Sequence, residues 1–164
     1  MGPKLHLLGI AGRVASSSKE GEPSAGLGEL VAHLNHFLTA KYTVEASYRS
    51  FADRVKGPWR DSLVDHWHDH AEEERRSSYD LAMKCVALGG DPILTVIQIP
   101  PCTPNLAGFM QVLMAQELDA IEAGRKLATM AGDSMGLRVL AENTVVLDSQ
   151  HLDDIKRMMA KLES

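Results

Sequence analysis

The sequence is poor in cysteine, in long apolar runs and in excess positive charge. Its two cysteines, Cys85 and Cys102, are too few for a disulfide framework and indicate a reducing compartment such as the cytoplasm. No apolar stretch is long enough to cross a bilayer, which argues against a membrane protein. The formal net charge of −5 differs from the basic balance of general nucleic-acid binders. We therefore expect neither a nucleic acid nor a membrane as a partner.

The N-terminal residues differ in composition from the rest of the chain. A short apolar run at residues 5–10 precedes a polar, serine-rich segment at residues 16–24. We expect residues 1–26 to form a flexible or docking tail, with a cleaved organellar presequence as the alternative. Residues 27–164 are long enough for one domain with a buried core.

Beyond residue 26, apolar residues recur with helical period in four segments that helix breakers separate. The pattern predicts helices over residues 26–56, 58–88, 105–131 and 134–162. Runs of strand period and internal repeats are absent from the sequence. Short turns join the first and last helix pairs, whereas the second and third helices are joined by a long link with prolines at 100, 101 and 104. This predicts an all-α, antiparallel four-helix bundle with one long crossover.

Each predicted helix has polar residues near the middle of its inward-facing stripe. Midpoints of antiparallel helices of similar length lie at one level, so these side chains should form one interior layer. The expected members are Lys41, Glu74, Ser77, Glu117, Asp148 and His151.

Three carboxylates in this layer would lose hydration worth roughly several kcal/mol each, so they must be protonated, paired with cations or bound to metal. Asp148 and His151 share one face of the fourth helix, and Glu74 and Glu117 come from facing helices. Oxygen-rich ligands with one imidazole suit iron, manganese or zinc better than copper(I). The alternative is a metal-free layer of salt bridges around Lys41.

Three histidines, His66, His68 and His70, lie close together on the second helix. Only His66 and His70 share a helix face, and no cysteine lies near them in the sequence. We expect no separate metal site from this pattern.

Several of these segments resemble the ferritin-like superfamily, especially bacterioferritins and Dps-like proteins, over roughly residues 27–163. Residues 34–42 resemble the segment that leads to the first metal-binding glutamate of that family. Residues 57–61 resemble the turn between the first and second helices of its Dps-like members. Residues 70–77 and 148–153 resemble its two Glu-x-x-His segments, with aspartate at position 148, and residues 115–120 its third-helix glutamate segment.

In that family, such residues hold two irons that carboxylates of the second and fourth helices bridge. Here Lys41 and Ser77 stand where the resemblance implies a glutamate and a histidine of the same metal position. The ligands that the resemblance assigns to the other metal position are all present: Glu74, Glu117, Asp148 and His151.

We therefore expect Lys41 to replace one metal. Glu45, one turn further along, is a candidate to fix the lysine, or to act as a ligand if the helix register shifts by one turn. Arginine at position 75 gives no support for a haem ligand, so no haem is expected.

Three functions follow from the residues and the resemblance. The first is a metal-binding protein with one iron, manganese or zinc ion and impaired or absent ferroxidase activity, because the oxidation step in this family uses two Fe(II) ions. The alternative is a metal-free structural or interaction subunit of a larger assembly. The second alternative is an active iron-storage or peroxide-detoxifying cage. The resemblance implies a homo-oligomer or a subunit of a larger assembly in each case, and no catalytic residue is assigned.

Overall fold

The computed structural model describes residues 25–99, 102 and 104–162. They form four α-helices: α1 at Ala25–Arg54, α2 at Arg60–Ala87, α3 at Leu106–Met130 and α4 at Met135–Leu162. The predicted all-α four-helix bundle is confirmed, and every helix boundary lies within two residues of its predicted place. The expected tail at residues 1–26 lies outside the described residues except for the first two residues of α1, so it stays a prediction.

The end of α2 explains how the long link leaves the first helix pair. Gly89 has a φ of 77°, and the Gly90 and Gly89 amides donate to the carbonyls of Cys85 and Val86. This is a Schellman motif, which ends a helix with a left-handed residue. A Cβ on Gly90 would lie 2.5 Å from Cγ1 of Val31, so only glycine lets the link begin in contact with α1.

The link then runs along α1, which confirms the predicted crossover. The Asn35 side chain donates to the carbonyl of Asp91 and accepts from the amide of Ile93, both at 2.9 Å. Further along, Thr43 Oγ1 accepts from the amide of Ile97 at 3.0 Å. Eight helical residues rise about 12 Å, and four extended residues span about 13 Å. The side chains of α1 therefore hold this part of the link in an extended conformation.

The core lies between the four helices, and α1 is its centre. Phe51 of α1 stacks on Phe109 of α3 with ring centroids 4.5 Å apart. A Cβ on Gly124 of α3 would lie 2.6 Å from Val145 of α4 and 2.8 Å from Phe37 of α1. Three helices thus pack closely around this glycine. Burial of each large apolar side chain contributes about 1.5–3 kcal/mol.

Within the described part of the chain, none of the helices combines the length and the apolar character needed to cross a membrane. Both cysteines are free thiols: Cys85 is buried in the core and Cys102 is half-buried in the link. The cytoplasmic location stays a prediction.

Candidate metal centre

Five of the six expected side chains meet in the middle of the bundle. Each helix supplies at least one of them, and each is at most 2% exposed. We call this group the polar layer; its members are Lys41, Glu74, Glu117, Asp148 and His151.

Lys41 joins the carboxylates of two other helices. Its Nζ lies 2.5 Å from Oε2 of Glu74 on α2 and donates a hydrogen bond to Oδ1 of Asp148 on α4. Burial alone would lower the pKa of Lys41, but the carboxylates of Glu74, Asp148 and Glu117 raise it above its ordinary value. The side chain is therefore an ammonium ion inside the bundle.

His151 is the second cation of the polar layer. Its Nδ1 lies 3.0 Å from Oε1 of Glu74 and 3.4 Å from Oε1 of Glu117. Its Nε2 lies 2.8 Å from Oε2 of Glu73, which is at the edge of the bundle. Burial opposes protonation, but Glu117 and Glu74 raise the pKa of His151 to about 10. Without a metal, the imidazole is thus protonated at neutral pH.

The three carboxyl groups of the polar layer differ in charge. Burial would raise the pKa of Glu74, but Lys41 and His151 more than offset burial and lower it. Burial raises the pKa of Glu117 despite His151, and it raises the pKa of Asp148 to about 7 despite Lys41. When all three are ionised, three negative charges face the two cations, so the layer has room for further positive charge.

Four buried carboxylate oxygens of the polar layer make no hydrogen bond among the described residues: both oxygens of Glu74, Oε2 of Glu117 and Oδ2 of Asp148. The Glu74 oxygens contact Lys41 and His151, so Glu117 Oε2 and Asp148 Oδ2 mark where a further positive charge fits. Glu74, Glu117 and His151 each offer a ligand atom, and these atoms lie within 4.8 Å of one another. A buried oxygen without a partner is costly, and a metal ion would satisfy it. Three of the four predicted ligands thus form one group, whereas Asp148 uses one oxygen to bind Lys41.

Tyr48 and His70 complete the surroundings of Glu117, although neither was among the predicted site residues. The Tyr48 hydroxyl donates to Oε1 of Glu117 at 2.8 Å, and Nδ1 of His70 lies 3.4 Å from the same hydroxyl. Burial, and then Glu117, raise the pKa of Tyr48 well above its ordinary value, so it stays a donor. The available signal was the position of Tyr48, which falls two helical turns after Lys41 on the same stripe.

Ser77 and Glu45 lie outside the polar layer. Ser77 is half-buried and its hydroxyl donates to the backbone carbonyl of Glu74 at 3.0 Å, whereas the next residue, Ser78, is buried. Ser77 lines a cavity of about 300 Å³. Glu45 pairs with Arg49 at 3.2 Å on the helix surface, and Lys41 is fixed by Glu74 and Asp148 instead.

Asp148 and His151 make the stability of the metal-free protein depend on pH. Both have folded-state pKa values, about 7 and about 10, above the ordinary values of 3.8 and 6.5. Their stabilising effect is complete below the ordinary values and is lost as pH rises through the folded values. His70, His66 and His33 act in the opposite direction below about pH 7, because burial lowers their pKa values and stability then rises with pH. Above that range these three are neutral in both the folded and the unfolded state, so we expect His151 to lower the free energy of unfolding by on the order of a few kcal/mol between about pH 7 and pH 9. Urea denaturation of chelator-treated protein measures this.

Asp148→Asn should remove the contribution of Asp148, so its free energy of unfolding should rise relative to that of the wild type as pH increases from about 5 to 7. Asp153→Asn, on the exposed face of the same helix, is the matched control and should keep the wild-type profile. A difference between Asp148→Asn and the wild type that stays constant over this interval would contradict the assigned protonation of Asp148.

Solved structures of similar fold include three bacterial proteins. A ferritin-like diiron-carboxylate protein from Bacillus anthracis str. Ames has a TM-score of 0.78 at 22% identity, over 82% of this chain and 98% of that chain. A bacterioferritin-related protein from Bacteroides fragilis is described as a dodecameric thioferritin. It has a TM-score of 0.76 at 19% identity, over 84% of this chain and 88% of that chain. A Dps protein from Vibrio cholerae O1 has a TM-score of 0.74 at 14% identity, over 82% of this chain and 91% of that chain. Identities this low establish the shared fold alone.

Comparison of the sequence with family models identifies the family to which the chain belongs. A comparison with curated proteins gives no match. The family model described as a ferritin-like domain matches residues 31–164, which is most of the chain and includes α2, α3, α4 and all of α1 except its first six residues. The chain therefore belongs to the ferritin-like domain family.

Proposed function

We propose that the protein binds one divalent metal ion per chain, iron, manganese or zinc, in the polar layer. Glu74, Glu117 and His151 would hold the ion, and the partnerless Oδ2 of Asp148 would be the fourth ligand. The observation that carries the proposal is the position of the Lys41 ammonium group. It contacts carboxylates of α2 and α4, while ligand atoms of Glu74, Glu117 and His151 lie within 4.8 Å of one another.

The surrounding residues prepare these ligands for an ion. Lys41 fixes one oxygen each of Glu74 and Asp148 and leaves their other oxygens free of it. Glu73 accepts from Nε2 of His151 at 2.8 Å, so the proton that must leave on metal binding is the one on Nδ1. A carboxylate on the far nitrogen is the usual way to orient a metal-binding histidine.

We also propose that ferroxidase activity is impaired or absent. A bound ion would supply Lewis-acid or one-electron redox chemistry. The two-iron oxidation that the family resemblance implies needs a second ion, and the Lys41 ammonium group lies between two of the carboxylates that would have to bind it. An ammonium ion provides positive charge but no electron. An active iron-storage cage is accordingly the least favoured function.

A metal-free structural or interaction subunit is the second candidate function. It is favoured by the raised pKa values of Lys41 and His151, since two cations neutralise most of the layer without a metal. A metal must displace a proton from His151 to bind, which weakens binding at low pH.

Metal content separates the two candidates. After anaerobic loading with Fe(II) or Mn(II) and desalting, we expect one ion per chain that is present in the wild type and lost in Glu117→Gln and His151→Ala. Elemental mass spectrometry measures it. Glu122→Gln, an exposed glutamate of the same helix, is the matched control and should retain the ion. A Glu117-dependent content near zero would support the metal-free subunit, and a Glu117-dependent content near two would contradict a single ion in the polar layer.

Restoring the two replaced ligands tests the loss of oxidation activity. The double variant Lys41→Glu/Ser77→His should bind one ion per chain more than the wild type, and it should oxidise Fe(II) with oxygen uptake that exceeds the wild-type rate. The cavity beside Ser77 offers space for the imidazole. Lys41→Gln/Ser77→Asn changes side-chain size without supplying these ligands and serves as the control. Rapid iron oxidation by the wild type would overturn the proposed loss.

We further propose that the chain forms homo-oligomers or enters a larger assembly. Large apolar side chains are exposed on the link and on α2, among them Leu94 at 77% and Tyr79 at 60%. Exposed apolar surface of this kind is typical of protein interfaces.

Light scattering of the purified protein should give a multiple of the single-chain mass, and a single-chain mass would contradict self-association.

A further inference from the structure

A second group of ligand atoms lies beside the polar layer. It consists of His66 and His70, one turn apart on α2, and Asp154 on α4. One ligand atom of each lies within 4.8 Å of the other two. The two imidazole rings are 4.3 Å apart between centroids. The sequence pattern of three histidines lacked a third ligand, and the packing of α4 on α2 brings Asp154 to it.

The hydrogen bonds of His70 determine which of its nitrogens is free. The Tyr48 hydroxyl gives its proton to Glu117, so it accepts the proton of Nδ1 of His70. Nε2 of His70 then carries a lone pair and faces Asp154. A buried hydrogen-bonding partner on the far nitrogen orients metal-binding histidines in the same way.

Arg157, one turn further along α4, orients the carboxylate of Asp154. Arg157 binds Oδ1, and Oδ2 lies 3.8 Å from Nε2 of His70. This distance is too long for a hydrogen bond. Two ligands about 2.1 Å from one tetrahedral zinc ion are roughly 3.4 Å apart, so these two atoms need little movement to share an ion.

The third ligand connects the group to solvent. His66 is half-buried and lines an open pocket of about 220 Å³ between α2, the start of α3 and the end of α4. Leu63, Met110 and Met158 are among the pocket's other lining residues. An ion can therefore arrive from solvent, and a water molecule can occupy a fourth position.

We propose that His66, His70 and Asp154 form a second divalent metal site that is open to solvent and prefers zinc. Two imidazoles, one carboxylate and an open position form a set that zinc accepts in proteins, whereas the polar layer offers mostly carboxylate oxygen. This site uses none of the ligands of the polar layer, so it does not depend on the proposed function.

Zinc binding to variants of the full chain tests the site. Glu117→Gln, which removes a ligand of the polar layer, should still bind one Zn(II) per chain. Adding His66→Ala or Asp154→Asn to that variant should abolish this binding or weaken it at least tenfold. His68→Ala, on the same helix and paired only with Asp53 at 3.7 Å among its described ion pairs, is the matched control and should bind as before. Zinc titration with elemental analysis gives the stoichiometry, and circular dichroism verifies the helical content of each variant.

The possible outcomes separate the two sites. Zinc that survives Glu117→Gln and disappears with both His66→Ala and Asp154→Asn establishes the second site. The inference is overturned if the Glu117→Gln protein binds no zinc, or if His66→Ala and His68→Ala bind it equally well. Equal metal content in the wild type and Glu117→Gln would instead overturn the metal site of the polar layer.

Discussion

Three carboxyl groups buried at one level of the bundle have to be neutralised, and the rest of the site depends on how this is done. An unpaired buried carboxylate costs roughly several kcal/mol, comparable to the whole stability of many small domains. Here Lys41 enters from α1 and contacts carboxylates of α2 and α4, while His151 of α4 contacts those of α2 and α3. The charged groups thus join all four helices, and when all three carboxyl groups are ionised they leave one negative charge that a metal ion can neutralise.

The neutralised layer is also the start of a continuous polar network. His151 lies against Glu74 and Glu117, Glu117 accepts from Tyr48, and Tyr48 contacts His70. The rings of His70 and His151 are 4.1 Å apart between centroids. Through these contacts, the buried carboxylates orient the imidazole of His70, which is itself buried. The same physical requirement that organises the core therefore also shapes the second ligand group.

The helices and the level of the charged residues could be predicted because both depend on helical period alone. Which side chains touch depends on rotation about the helix axis, and the sequence leaves this open by one residue. From Glu74, steps of three and four residues lead to Ser77 and Ser78, and the packing buries Ser78. From Lys41, the same choice decides between Val44, which is buried, and Glu45, which faces outward to Arg49.

The contacts of Glu73 and Asp154 could not be predicted for a related reason. Each joins residues on two helices far apart in the sequence, and the spacing within one helix carries no information about them. His151 reaches Glu73 and His70 reaches Asp154 only because α2 and α4 pack in this register.

The most direct test of the account is an anomalous diffraction map of crystals loaded with Mn(II) or Fe(II). The account predicts one peak in the polar layer, bounded by Glu74, Glu117 and His151, with the Lys41 ammonium group beside it between Glu74 and Asp148. Two peaks in the polar layer, with Lys41 displaced, would contradict the claim that the lysine takes the place of one metal. No peak there in a loaded crystal would contradict the metal site itself.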